Sequence, residues 1–397
     1  MVSVCFYFQV HQPFRLKKFS VFDIGKNHNY FDDERNSKEM RKIAGKCYLP
    51  ANHTMLELIK KHPGFKISYS ISGVAIEQMR LYAPEVLESF RKLARTGNVE
   101  FLDETYYHSL SGVFSKKEFK KQIDMHRKLI EDEFGQTPTS FRNTELIFNN
   151  EIANYIQGLG YKAILAEGAD HVLGWRSPNF TYTASTAPKI KLLLKNYRLS
   201  DDIAFRFSEK TWREWPLTAD KFARWVDALN GNAEVVNLFM DYETFGEHQW
   251  EDKGIFEFLK ELPKQLLKHP DNDFVTPSEA AERYKIKDVL DVPHIVTWAD
   301  TERDLSAWTG NEIQRSAIDF IYALETQVIK SRNETIIEDW RRLQTSDHFY
   351  YMCTKWFADG DVHKYFNPYE SPYDAFISYM NAANDLKFRI KIHPKHA

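Results

Sequence analysis

Cysteine is scarce in this chain of 397 residues: Cys5, Cys47 and Cys353 are the whole supply. They are scattered and share no ligand-like spacing, which argues against a disulfide framework and a zinc cluster and fits a reducing compartment. A basic excess is also missing. Lys and Arg number 53 against 56 Asp and Glu, a net charge of −3, so nothing is in surplus to neutralise a phosphate backbone. No apolar run approaches the ~20 residues that a membrane-crossing helix requires. Residues 1–14, MVSVCFYFQVHQPF, lack a basic leader and a small-residue cleavage site and read as a first strand, not an export signal. No glycine-rich turn follows that strand, where a dinucleotide fold needs one. The expectation is a cytoplasmic protein with neither nucleic acid nor membrane as partner. No internal repeat or low-complexity tract appears.

What the chain has in quantity is aromatic side chains, 15% of the total, with Phe 29, Tyr 20 and Trp 9. A bulky core uses such residues, and so does a groove whose rings stack on sugar faces; the two readings are compatible. Short β-rich runs at 2–10, 65–71, 98–103, 139–142, 161–166, 190–197 and 234–240 alternate with helical patterns at 50–61, 84–95, 116–133, 149–158, 200–207 and 218–229. This alternation predicts an α/β fold with a parallel sheet and crossover helices. Acids and histidines at the strand ends favour a seven-stranded (β/α)7 barrel over an open doubly wound sheet, because strand ends carry the chemistry of such barrels. After about residue 270 the pattern changes. A helix start is expected near Ser278 as cap, with Thr276 and Pro277 before it, and 311–332, 334–350 and 371–387 read as amphipathic helices. The division expected is a catalytic barrel over 1–270 and a C-terminal helical domain over 271–397 that contributes to the active site.

Five segments can carry chemistry. His11 and Gln12 follow the first strand directly; His11 either belongs to a turn or hydrogen-bonds a sugar hydroxyl, since imidazole offers a donor and an acceptor. The third strand exits at NVEFLDETYYHSL, where Asp103, Glu104, Thr105 and His108 crowd together with Tyr106 and Tyr107. The fourth exits at SFRNTELIFNN, and Arg142 beside Glu145 lowers the carboxyl's pKa and keeps it ionised, as a nucleophile requires. The seventh, VVNLFMDYETFGEHQW, delivers Asp241, then Glu243, Glu247 and His248, with Gly246 for a tight turn. Crowded acids raise the pKa of at least one of them, which suits a general acid. A metal site competes for these residues, but no H-x-D or H-x3-H element completes a zinc set. Last, HIVTWADTERDLSAWTGNEIQ brings Trp298, Asp304 and Trp308, either a helix cap and an interface filler or a stacking platform for a glucan.

Taken together, HQP at 11–13, GNVEFLDETYYHSL at 97–110, FRNTELIFNN at 141–150, MDYETFGEH at 240–248 and TWADTERDLSAWTGN at 297–311 resemble the five ordered regions of glycoside hydrolase family 57, and more closely its α-amylase branch. The resemblance implies an incomplete seven-stranded (β/α)7 barrel with a helical domain that helps close the active site, and a retaining mechanism on α-glucan or maltooligosaccharide with no metal or other cofactor. It puts the nucleophile on Glu145 and the general acid/base on Asp241. His11, His108, Arg142, Glu243, Asp304 and Trp308 fall around the sugar, with Glu243 also helping to keep Asp241 protonated by repulsion. A retaining pair stands roughly 5–5.5 Å apart, against ~6.5–9.5 Å for an inverting one. Three rivals stay open: a 4-α-glucanotransferase or branching enzyme of the same chemistry, a metal-dependent polysaccharide deacetylase, and a glucan-binding protein without turnover.

Overall fold

The computed structural model describes residues 2–355 and 367–392. Ten strands lie among them: β1 (Val2–Val10), β2 (Ile67–Ile71), β3 (Val99–Phe101), β4 (Ser140–Arg142), β5 (Ala163–Glu167), β6 (Tyr182–Ala184), β7 (Ala187–Lys195), β8 (Val235–Asp241), β9 (Asn272–Phe274) and β10 (Asp288–Leu290). They form two five-stranded sheets, one ordered β3-β2-β1-β8 with β9 also on β1, the other β10-β6-β7-β5-β4. Every pairing is parallel except that of β6 with β7.

Two seams join the sheets. Past the end of β3, Asp103 N donates to Ser140 O at 3.0 Å and Arg142 N to Asp103 O at 2.9 Å. On the far side, past the end of β7, Asn196 N donates to Asn237 O at 2.9 Å. Strands β1 to β5, β7 and β8 thus follow one another round an incomplete seven-stranded barrel, in which one or two backbone hydrogen bonds stand at each seam in place of a ladder. This is the (β/α)7 architecture with a helical C-terminal region that the sequence predicts.

Strand β1 shows why these residues make a barrel. All nine are buried, as in a parallel strand covered on both faces. Successive side chains point to opposite faces. Val2, Val4, Phe6, Phe8 and Val10 join the layer between sheet and helices, while Cys5 and Tyr7 join Leu165, Leu193 and Phe239 inside the barrel. The next inward position is Gln9, paired in register with Asp241, and there the apolar interior gives way to polar groups.

The C-terminal helices, Ser306–Thr309, Glu312–Ala323, Glu325–Ser331, Glu334–Arg342, Ser346–Tyr350 and Pro372–Ile392, share a core with the sheet that contains β4, β5 and β7, built around Trp308 and Trp340. The long helix expected over 334–350 is two helices, because Thr345 leaves the helical path to form an antiparallel bridge with Ser109 of the barrel. Sheet pairing also continues past residue 270, through β9 on β1 and β10 on β6. The cap expected at Ser278 is Thr276: its hydroxyl accepts from Glu279 N, and the Glu279 carboxylate accepts from Thr276 N at 3.0 Å. Pro277 holds the first helical position, where its missing N–H leaves nothing unpaired. Among the described residues no helix is long and apolar enough to cross a membrane.

Candidate active site

At the C-terminal mouth of the barrel lies a cavity of about 980 Å³. Glu145 and Asp241 both line it, with His11, His108, Glu243 and Trp308. All but Trp308, which comes from the helix Ser306–Thr309, arrive at or just past the end of a strand: His11 from β1, His108 after β3, Glu145 after β4, and Asp241 and Glu243 from β8. Between them stand Tyr197, Phe205, Trp298, Tyr350 and Tyr351, rings of the kind that stack on apolar sugar faces.

Glu145 is held in an unusual backbone state. It and Leu146 have φ of 55° and 52°, the left-handed region, which is unfavourable for residues with a side chain and is found where surrounding contacts over-determine it. Those contacts are visible. Asn143 Nδ2 donates to Ile147 O at 3.0 Å, Leu146 N to Asn143 O at 3.0 Å, and Trp298 N to Glu145 O at 3.3 Å. The result aims the carboxylate into the cavity. Trp298 Nε1 donates to its Oε2 at 2.7 Å, and His108 Nε2 stands 3.0 Å from its Oε1. The other ring nitrogen of His108 lies 3.0 Å from Glu104 Oε2.

Electrostatics separate the two acids. Burial alone would raise Glu145, but the bond and charge of His108, the charge of Arg142 and the Trp298 N–H outweigh it and hold the carboxyl below its ordinary value. Asp241 goes the other way: burial first, then the charge of Glu145, lift it to about 6 against the pull of Arg142, Lys195 and His108. His108 is disfavoured as a cation by burial, yet its two carboxylate partners raise it to about 9, so at neutral pH it is a positive clamp on Glu145. Glu243 is raised to about 8 by burial and the Asp241 charge, and its Oε1 receives the Tyr48 hydroxyl and Gln12 Nε2. It is therefore neutral at pH 7. Glu145 supplies repulsion that lifts Asp241, and Asp241 and Glu243 each resist ionisation beside the other's charge.

Other expected residues sit differently from their sequence reading. Arg142 is fully buried outside the cavity lining, its guanidinium 4.8 Å from the centre of the Trp298 ring; it acts on Glu145 through charge. Asp304 is exposed and outside the lining; its carboxylate accepts from Ser306 N at 2.8 Å, which closes a local turn before the helix. His11 lines the cavity, but both ring nitrogens already have protein partners, Ser72 Oγ at 2.7 Å and Asp347 Oδ2 at 2.9 Å, so neither is spare for a sugar hydroxyl. Gly246 does need to be glycine: φ is 112°, and a Cβ there would meet Lys46 O at 2.0 Å.

Sequence reasoning passed over Lys195 and Asp347, and took Trp298 only for a stacking ring. Lys195 ends β7, lines the cavity, donates to Asp201 at 2.9 Å and lies 5.4 Å from the Trp298 ring centre. A lysine closing an apolar strand was the available signal. Removing the indole donor in Trp298→Phe takes one hydrogen bond from a charged acceptor, worth about 1.5 kcal/mol or roughly tenfold. The expected result is a tenfold lower kcat/KM whose acid limb moves to higher pH, read from a pH–rate profile.

Known proteins resemble this chain in sequence and in fold. The model for glycosyl hydrolase family 57 matches residues 5–293. A Methanocaldococcus jannaschii protein named "Putative alpha-amylase" is 44% identical over 98% of this chain and 85% of its own. Among solved structures, a GH57 branching enzyme from Thermococcus kodakaraensis superimposes with a TM-score of 0.67 at 15% identity, over 92% of this chain and 87% of its own. A 4-alpha-glucanotransferase from Thermococcus litoralis gives 0.60 at 16% identity over 92% of this chain, which spans 54% of that longer protein. At such identities the structural likeness speaks for the fold alone.

Proposed function

The chain belongs to glycosyl hydrolase family 57 and is a glycosidase; from that premise we propose that it hydrolyses α-1,4-glucan with retention, Glu145 acting as nucleophile and Asp241 as general acid and base. One observation carries the reading: two carboxyl groups line one cavity, and their surroundings drive one toward the anion and the other toward the protonated acid. Paired carboxyls with pKa values pushed apart are the equipment of acid-assisted glycosidic cleavage.

In the proposed sequence, Asp241 gives its proton to the glycosidic oxygen as that oxygen's bond to the anomeric carbon breaks. Glu145 attacks the same carbon from the opposite face, and a glycosyl ester forms. Asp241, now anionic, takes a proton from water; the hydroxide oxygen bonds to the anomeric carbon, and Glu145 leaves as carboxylate. His108 and Trp298 stabilise that carboxylate at both ends of the cycle. The name of the 44% identical relative supports α-glucan as substrate class, as does the lining of aromatic rings. A sugar hydroxyl in place of water would make the same site a transferase, as the names of the two structural neighbours suggest. Incubation with defined maltooligosaccharides decides between them: hydrolysis gives shorter chains alone and transfer gives longer ones too. Product that first appears as the β-anomer would end the retaining reading.

The titrations predict a pH profile. Turnover needs Glu145 anionic and Asp241 protonated, so kcat/KM is expected to rise through the lowered Glu145 titration and fall as pH passes about 6, where Asp241 loses its proton. The two groups are coupled, so the limbs belong to the pair. A flat profile from pH 5 to 8 would contradict the assignment of Asp241 as acid.

A further inference from the structure

His11 and His108 lie face to face beside the nucleophile, ring centroids 3.9 Å apart and 19° from parallel. His108 spends both nitrogens on Glu104 and Glu145. His11 bridges the barrel and the helical region, with Nδ1 2.7 Å from Ser72 Oγ, just past β2, and Nε2 2.9 Å from Asp347 Oδ2. The groups present dictate its tautomer. A carboxylate only accepts, so the hydrogen of His11 is on Nε2. Ser72 Oγ already accepts from Ala75 N at 3.3 Å and donates its own hydrogen to the bare Nδ1. His11 is then neutral, in keeping with burial and the neighbouring His108 charge, which push it below an ordinary imidazole. Asp347 stays ionised: despite burial its carboxyl lies below the ordinary value, with the hydrogen bond from His11 and the charge of His108 among the causes.

Asp347 belongs to the C-terminal helix Ser346–Tyr350, and the segment that carries it also grips the backbone of His108. Ser346 N donates to His108 O at 2.9 Å, and Thr345 Oγ1 donates to Tyr107 O at 3.0 Å. His108 has φ of 50°, a conformation that its partners impose and its own propensity opposes. One short stretch of the helical region therefore touches both members of the stack, one through a side chain and one through the backbone.

We propose that Asp347 is a positioning residue for this reaction: by fixing the tautomer and plane of His11 it sets the surface on which His108 rests, and so the aim of His108 Nε2 at Glu145. The inference rests on the reading of Glu145 as nucleophile. It assigns a residue of the helical region, itself in the cavity lining, a part in the chemistry that works through His11 and His108.

The test uses the full chain. In wild-type protein, ¹⁵N spectra of the histidines should show His11 neutral with its hydrogen on Nε2; an Nδ1–H or cationic His11 overturns the proposal before any variant is made. Asp347→Leu removes the acceptor at similar size, and Asp347→Asn keeps an acceptor oxygen without the charge. The leucine variant should lower kcat at least tenfold, since small misplacements of reacting groups have large effects, leave KM within twofold, and shift His11 toward Nδ1–H. The asparagine variant should recover most of kcat and keep the tautomer. A rise in KM at unchanged kcat would make Asp347 a sugar ligand and sink the proposal, as would leucine-variant kinetics like wild type. The tautomer measurement needs no turnover, so a failed glucan assay on wild-type protein would count against the function proposed above and not against the relay.

Discussion

Replacing Glu145 with glutamine is expected to lower kcat on maltooligosaccharides by about 10,000-fold or more, the scale at which removal of a nucleophile leaves only binding and residual electrostatics. An amide neither attacks the anomeric carbon as a carboxylate does nor leaves again as one. The substitution has a second, independent signature. Trp298 Nε1 and His108 Nε2 approach different oxygens of the carboxylate, so in the amide one donor faces an NH2 group and loses its acceptor. His108 gives up one of the two partners that raise it to about 9, and its titration should move down. Asp241 loses the charge that is the second cause of its own elevation, so its titration should fall as well. Steady-state kinetics measure the first effect and NMR titration the other two. Near-wild-type turnover with both titrations shifted would leave the electrostatic description standing and remove Glu145 from the chemistry.

The catalytic candidates were legible because parallel strands buried on both faces read as apolar runs, and an acid just past such a run has one place to go. Asp241 ends VVNLFMD and Glu145 follows SFR, and both line the cavity. The short strands β6, β9 and β10 were not legible. YTA, NDF and DVL are three residues each, and they exist because a neighbouring strand offers free backbone groups. Arg142 read as a rim residue because its number lies close to Glu145. Its side chain is buried against Trp298, outside the lining, while Glu145, in the turn past β4, meets the cavity. Asp304 is close in sequence to Trp308 yet caps a turn outside the lining. The His11–Asp347 contact joins residues 336 positions apart, and nothing local in SDHFY distinguishes it from a helix start. Glu145 hides the same kind of information: no propensity marks a glutamate for φ of 55°, and only the bonds around it account for the angle.

Asp241→Asn should split the reaction where Glu145→Gln abolishes it. Without the acid, the departing sugar must leave as an alkoxide, and kcat on maltooligosaccharides is expected to fall about 1,000-fold, within the range attributed to general acid–base catalysis. A substrate whose leaving group needs no proton, such as an α-glucosyl fluoride, should form the glycosyl ester at a rate close to wild type, because Glu145 and its donors are untouched. The ester should then persist, since Asp241 is also the base that would deprotonate water, and a small anion such as azide, which requires no base, should release it. The pH profile of the first step should lose its fall near pH 6, since that limb is the titration of Asp241. At the same time, removal of the Asp241 charge should lower Glu243 from about 8, where that charge is its second cause after burial. Trapping of the ester is measured by mass spectrometry of the intact chain and azide rescue by the appearance of glycosyl azide. Equal loss on the natural glucan and on the fluoride, with no rescue, would mean that Asp241 shapes the cavity and moves no proton. The acid would then have to be sought in Glu243, a cavity carboxyl raised to about 8.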